Sequence, residues 1–172
     1  MPTAQKINLE FENHVKGNRI VRDDFARQFA KGVKILEREK RLKKAGKGGV
    51  VQLTMVNDAT IKKLNKEYRG KNKPTDVLSF SYIEENAQMN ADGSPFAFPQ
   101  QDLIGEIAIS IETARNQAKE HGKTLKEELQ FLFVHGLFHV FGYDHEEEEE
   151  RKEMFDLQDE VIGNKSWRKI IG

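Results

Sequence analysis

No cysteine occurs anywhere in the 172 residues. That absence excludes a disulfide framework and any thiolate metal site, so a bound ion has only imidazole and oxygen ligands to draw on. Long hydrophobic runs are missing too. Nothing approaches the roughly 20 apolar residues that cross a bilayer, and the start, Met1-Pro2-Thr3-Ala4-Gln5-Lys6, has no signal-peptide core. These features predict a cytoplasmic protein without membrane contact, folded as one domain over residues 1–172 with a core that needs no covalent staples. Net charge is also absent, with 28 basic and 28 acidic side chains, but the balance is uneven. Residues 1–74 carry 19 Lys and Arg against 8 Asp and Glu, and residues 75–172 carry 9 against 20. A chain polarised in this way can present a basic face to a polyanion at neutral pI; solvated charge on scattered helices is the plainer alternative.

Histidine is scarce, five in all, yet three of the five fall inside Val134-His135-Gly136-Leu137-Phe138-His139-Val140-Phe141-Gly142-Tyr143-Asp144-His145. His135 and His139 are four apart, so on a helix they project from one face, one turn above the other, close enough to share an ion. Gly142 can take positive φ and end the helix in a reversal, which lets His145 turn back as a third ligand. Packed, neutral histidines are the structural alternative, but they give no reason for a turn glycine between the second and third. Three imidazoles leave one coordination position open, the mark of a catalytic rather than a structural site, and one zinc ion is the expectation. Such an ion activates water near neutral pH or polarises a phosphoryl oxygen. Gly136, inside the helix, costs about 1 kcal/mol relative to alanine, which predicts a close approach to the backbone there, with the substrate as the candidate.

The spacing His-x3-His-x2-Gly-x2-His is that of the metzincin zinc proteases, with one departure. Those enzymes carry a glutamate general base where this chain has Gly136. Without that carboxylate a peptidase lacks its means of activating water and protonating an amine.

The stretch resembles the YbeY family of bacterial rRNA-maturation endoribonucleases, whose motif is His-Gly-x-x-His-x-x-Gly-Tyr-Asp-His. Leu64-Asn65-Lys66-Glu67-Tyr68-Arg69, with Lys73-Pro74-Thr75-Asp76-Val77-Leu78-Ser79-Phe80, is similar to that family's other marked segment. With Leu103 to Ser110, the likeness covers roughly residues 50 to 162. It implies a single-strand-specific endoribonuclease acting in small-subunit rRNA maturation, including the 16S rRNA 3′ end, and in ribosome quality control. The implied partners are rRNA and the small ribosomal subunit, with ribosomal proteins or an assembly GTPase as further candidates; no oligomeric state is implied. A zinc metallopeptidase and a non-catalytic ribosome-assembly factor with a metal site are the alternatives.

Arg69 matches the arginine treated as catalytic in that family. Its physical basis is that guanidinium holds two phosphate oxygens at once and stays charged near a metal, although many arginines at helix ends have no such role. Six cationic residues, Lys62, Lys63, Lys66, Arg69, Lys71 and Lys73, crowd twelve positions against the single Glu67, the densest candidate for gripping phosphate. Lys62, Lys66, Lys71 and Lys73 are the RNA-binding candidates. Asp144 either orients a ligand histidine or serves the turn.

Taken in order, Lys6 to Glu12 alternates as a strand. Asp23 or Asp24 caps a helix carrying Phe25, Phe29, Val33 and Leu36, which ends in the basic run 40–44; that run contacts RNA or complements the helix dipole. Val50 to Val56 is a second strand, and Asn57-Asp58 caps a helix with Ile61, Leu64 and Tyr68 inward. Thr75 to Tyr82 has apolar residues in both phases, which predicts an interior strand. Residues 84–102 lack any period and read as a flexible loop, with Phe96 and Phe98 either stacking on bases or pinning the loop to the body. Leu103 to Ser110 is the fourth strand, followed by a helix closed at His121-Gly122. His121 and His14 have no partner at ligand spacing and are expected at the surface. Thr124 and Glu127 form a capping box for a helix apolar over most of its circumference, and therefore central. Glu146 to Glu150 lead into a last helix with Met154, Leu157 and Val161 inward, where acidic residues suit a helix N-terminus and one of them is a candidate general base. Residues 164–172 form a short tail. The expected fold is α+β, zincin-like: a single mixed four-stranded sheet packed on helices, with a central helix bearing two of the histidines.

Overall fold

A computed structural model describes residues 6–46, 48–83, 89, 91–92 and 102–163. Most of the segment 84–102, with Phe96 and Phe98, and the tail 164–172 lie outside the described residues. The fold is α+β: four strands form one open mixed sheet in the order β1-β2-β4-β3, where β1 is Lys6–Asn13, β2 Gly48–Val56, β3 Val77–Ser81 and β4 Leu103–Ser110. β1, β2 and β4 run parallel, and β3 runs antiparallel to β4. Five helices accompany it, α1 (Ala26–Arg38), α2 (Asp58–Arg69), α3 (Ile111–Glu120), α4 (Leu125–Val140) and α5 (Glu148–Ile162).

The alternation in β1 places Ile7 and Leu9 inward and Lys6, Asn8 and Glu10 in solvent. Only one face of that edge is covered, which is why a parallel strand shows the half-buried pattern. β1 meets α1 on its covered side, while α4 packs on β3 and β4 and is flanked by α1, α3 and α5. The main core joins Val51, Leu53 and Met55 of β2 to Leu129, Phe133, Val134 and Leu137 of α4. Phe133 sits edge-on to Phe25, with ring centroids 5.4 Å apart. On the opposite face a smaller cluster, Val56, Ile61, Leu78, Phe80 and Ala108, lies under α2.

Four expectations change. β3 is buried but, among the described residues, ends the sheet; helices rather than strands cover it, with the Tyr68 ring of α2 5.4 Å from Phe80 and the Ser81 hydroxyl donating to the Val140 carbonyl of α4 at 2.7 Å. Asp24 does not cap α1. Like Asp23 it lies within a 3-10 turn (Arg22–Phe25), where it accepts from the Val21 N–H, and α1 begins directly after that turn at Ala26. His121 is half-buried, 3.2 Å from the carboxylate of Glu128, which is 1% exposed. The backbone at Gly136 is approached by the sheet rather than by substrate, since a Cβ there would stand 2.9 Å from Ile107 Cγ2. The reciprocal contact sits nearby on β4, where a Cβ at Gly105 would stand 2.5 Å from Val140 Cγ1. Two missing side chains let α4 lie close on the sheet.

Candidate metal centre

α4 begins with the reciprocal bonds of a capping box, Glu127 N–H to the Thr124 hydroxyl at 3.1 Å and Thr124 N–H to the Glu127 carboxylate at 3.4 Å. Its C-terminal turns carry His135 and His139 one turn apart on a face roughly a quarter-turn round from Gly136, and the two Nε2 atoms lie 3.1 Å apart. The helix ends at Val140, and Gly142, at φ 93°, reverses the chain. Such a φ suits glycine and strains a side chain. The reversal brings the His145 ring to 5.5 Å from that of His135 and 5.2 Å from that of His139, centre to centre.

One nitrogen from each of the three rings falls in a set whose members lie within 4.8 Å of one another. Two ligands at ordinary zinc–nitrogen lengths and a tetrahedral angle stand about 3.3 Å apart. The His135–His139 separation already matches that figure. Burial, above all, holds His135 neutral, pushing it down to about 3 from the usual 6.5, with the neighbouring His139 and His145 adding to the effect. Burial pushes His139 down as well, against the opposing pull of Asp144. Neutral imidazole is the ligating form, so the donor set suits a divalent transition metal.

The centre opens into a cleft of about 730 Å³. The C-terminal end of α2 and the chain that follows also line it. Gly70 ends α2 in the left-handed conformation at φ 71°, and the buried Asn65 side chain donates to the Lys73 carbonyl at 2.9 Å, which pins the turn. Arg69, Lys71 and Lys73 line the cleft together with the three histidines. Arg69 donates to the Ser79 carbonyl of β3 at 3.2 Å, and its charge helps to hold His139 down. Burial lowers the Arg69 guanidinium too. Lys62 and Lys66 are exposed on α2 and do not line the cleft. Asp144 does line it, and its carboxylate accepts the His145 N–H at 2.7 Å, the geometry of a turn. Of the five consecutive glutamates only Glu146 reaches the lining; Glu148 to Glu150 lie in the first turn of α5, where acidic side chains complement the helix dipole.

Two residues at the site escaped the sequence reading. Asp76 lines the cleft, fixed by the Val77 N–H at 2.7 Å and the Gln117 amide at 3.2 Å. Gln158, fully buried on α5, lies 3.2 Å from His135 Nδ1 through its side-chain amide. The available signal was a glutamine four residues after Met154 and three before Val161, on a face otherwise apolar.

The family model described as "Endoribonuclease YbeY" matches residues 10–165. Proteins named Endoribonuclease YbeY from Bacillus licheniformis and Heliobacterium modesticaldum are similar to this chain. The first is 48% identical over 67% of this chain and 71% of its own length, and the second 43% identical over 69% and 71%. The solution structure of TM1509 from Thermotoga maritima shares the fold, with a TM-score of 0.52 and 27% identity over 95% of this chain and 91% of that one.

Proposed function

The chain belongs to the YbeY endoribonuclease family, and on that premise we propose a zinc-dependent, single-strand-specific endoribonuclease that matures small-subunit rRNA, its 3′ end included, and serves ribosome quality control. RNA phosphodiester hydrolysis in rRNA processing is the family's activity. The observation that carries the residue-level reading is that Arg69 and the three histidines line a single cleft.

In this proposal His135, His139 and His145 hold the ion, which when bound supplies Lewis-acid activation at the scissile phosphate. Arg69 lines the same cleft, held on the Ser79 carbonyl, and its guanidinium stabilises the phosphoryl oxygens where charge accumulates in the transition state. Lys71 and Lys73 hold flanking phosphates, and the more remote Lys62 and Lys66 extend the cationic track along α2. Asp144 keeps the His145 turn closed. The substrate is rRNA within the small subunit, with ribosomal proteins or an assembly GTPase as candidate partners, and the compartment is the cytoplasm. No helix among the described residues is long and apolar enough to cross a membrane.

Position 136 weighs against a peptidase. It faces Ile107 at packing distance, so the carboxylate that a metallopeptidase needs there has no room on this backbone. The test is cleavage of single-stranded rRNA by metal-defined protein. His135→Ala or His139→Ala is expected to abolish cutting and leave the fold intact by circular dichroism. Undiminished cutting by either variant with no metal bound overturns the proposal, and undiminished binding to pre-ribosomal particles without any cutting by the unaltered chain favours an assembly factor.

A further inference from the structure

His135 presents Nε2 to His139 and Nδ1 to the Gln158 amide. Ligation through Nε2 requires a free lone pair on that atom, so the ring must carry its proton on Nδ1. A buried Nδ1–H in turn needs an acceptor. Gln158 is 0% exposed, and its Oε1 is a buried atom with no hydrogen-bond partner. Half a turn of the terminal amide exchanges its oxygen and nitrogen, which places that orphaned oxygen on the Nδ1 side of His135. The residue comes from α5, whose first turns also reach the site where Arg151 donates to the His145 carbonyl at 3.5 Å. Leu157 and Val161 seat it in the core, and Arg38 of α1 holds Glu160 at 2.9 Å on its outer side.

We propose that Gln158 is the positioning residue of the metal centre: its side-chain carbonyl accepts the Nδ1–H of His135 and so fixes both the tautomer and the angle at which Nε2 meets the ion. The role rests on the metal-binding reading above, and it extends the centre from the local His-x3-His stretch to a separate helix. A partner of this kind raises the basicity of the ligand and orients its ring, and its loss typically lowers metal affinity about 10–100-fold.

The experiment measures zinc affinity by competition with a chromophoric chelator for the unaltered chain, Gln158→Leu and Gln158→Glu. Gln158→Leu, which keeps the volume and removes the acceptor, is expected to bind about 10–100-fold more weakly. Gln158→Glu restores an acceptor and is expected to bind at least as tightly as the unaltered chain. A merely structural role predicts the reverse for the glutamate, since a carboxylate is the worse core residue. Equal affinity of Gln158→Leu and the unaltered chain overturns the assignment, as does a Gln158→Glu variant no tighter than Gln158→Leu. Long-range 1H–15N spectra of the zinc-loaded, unaltered chain decide the matter independently of whether a variant folds: the proton is expected on Nδ1 of His135, and ligation through Nδ1 overturns the proposal. Absence of zinc binding by the unaltered chain, by contrast, removes the metal-binding reading itself.

Discussion

Gly136 of α4 stands directly over Ile107 of β4, so near that a Cβ on the glycine would lie 2.9 Å from Ile107 Cγ2 and 3.4 Å from Cγ1. Ile107 is itself 1% exposed, and its branched side chain has nowhere to retreat. Gly136→Ala gains about 1 kcal/mol of helix propensity and loses roughly 1–3 kcal/mol to overpacking. The expected net loss is about 1 kcal/mol, read from urea unfolding. In an Ile107→Ala background the clash is gone, and the same substitution is expected to stabilise. An identical effect in both backgrounds would contradict the contact.

Because α4 carries both Gly136 and the pair His135 and His139, the depth at which it sits on the sheet also sets where the histidines stand relative to Arg69. Arg69→Ala is expected to lower the single-turnover rate of single-stranded RNA cleavage by about 100–1000-fold, the usual cost of removing a donor aimed at transition-state charge. The stability change is expected to be small, on the order of 1 kcal/mol, because the Ser79 hydrogen bond is lost from a side chain at the cleft surface. Arg69→Lys keeps the charge but not the fork of donors and is expected to recover little of the rate. Full activity in Arg69→Lys would reduce the guanidinium to a point charge.

The parts of this arrangement that were legible in the sequence are those in which cause and effect lie close together along the chain. His135, His139, Gly142 and His145 form their geometry within one helical turn and one reversal, so spacing sufficed. Thr124 and Glu127 likewise announced the start of α4. Contacts between distant segments left no such trace. Ile107 lies 29 positions before Gly136, and the helix propensity of a glycine says that something approaches without saying what. Gln158 reaches His135 across 23 positions. β3 carries apolar residues in both phases because α2 and α4 cover its two faces, a pattern that an interior strand produces equally well. His121 has no partner at ligand spacing, and the residue that meets it, Glu128, is an acid inside a helix, where periodicity gives no warning of burial.

Placement relative to the cleft separates the lysines. Lys71 and Lys73 line it, whereas Lys62 and Lys66 stand outside on α2. Lys71→Ala and Lys73→Ala are each expected to weaken binding of single-stranded RNA and to reduce the slope of log affinity against log salt by about 0.7, the single-strand value per phosphate contact. Lys62→Ala and Lys66→Ala are expected to change the slope by less. The measurement is fluorescence anisotropy of a labelled oligonucleotide across a salt series, and equal slopes for all four variants would place the RNA on the outer surface of α2 instead of in the cleft.

The buried histidines make the stability of the metal-free protein depend on pH in a definite direction. His135 is held down to about 3 by burial, while the unfolded chain takes up a proton on it near 6.5. Between those values the unfolded state binds more protons than the folded one, so stability rises with pH. The contribution is complete above about pH 6.5 and is lost progressively as pH falls toward 3, at no more than about 1.4 kcal/mol per pH unit for this residue. His139, also pushed down, acts in the same sense. Urea unfolding with chelator present, at intervals from pH 7.5 to 4.5, is expected to show a shallower decline for His135→Leu than for the unaltered chain, because the leucine has no proton to gain on unfolding. Parallel declines would mean that His135 is already charged in the folded protein, a state in which it could not accept a metal through Nε2.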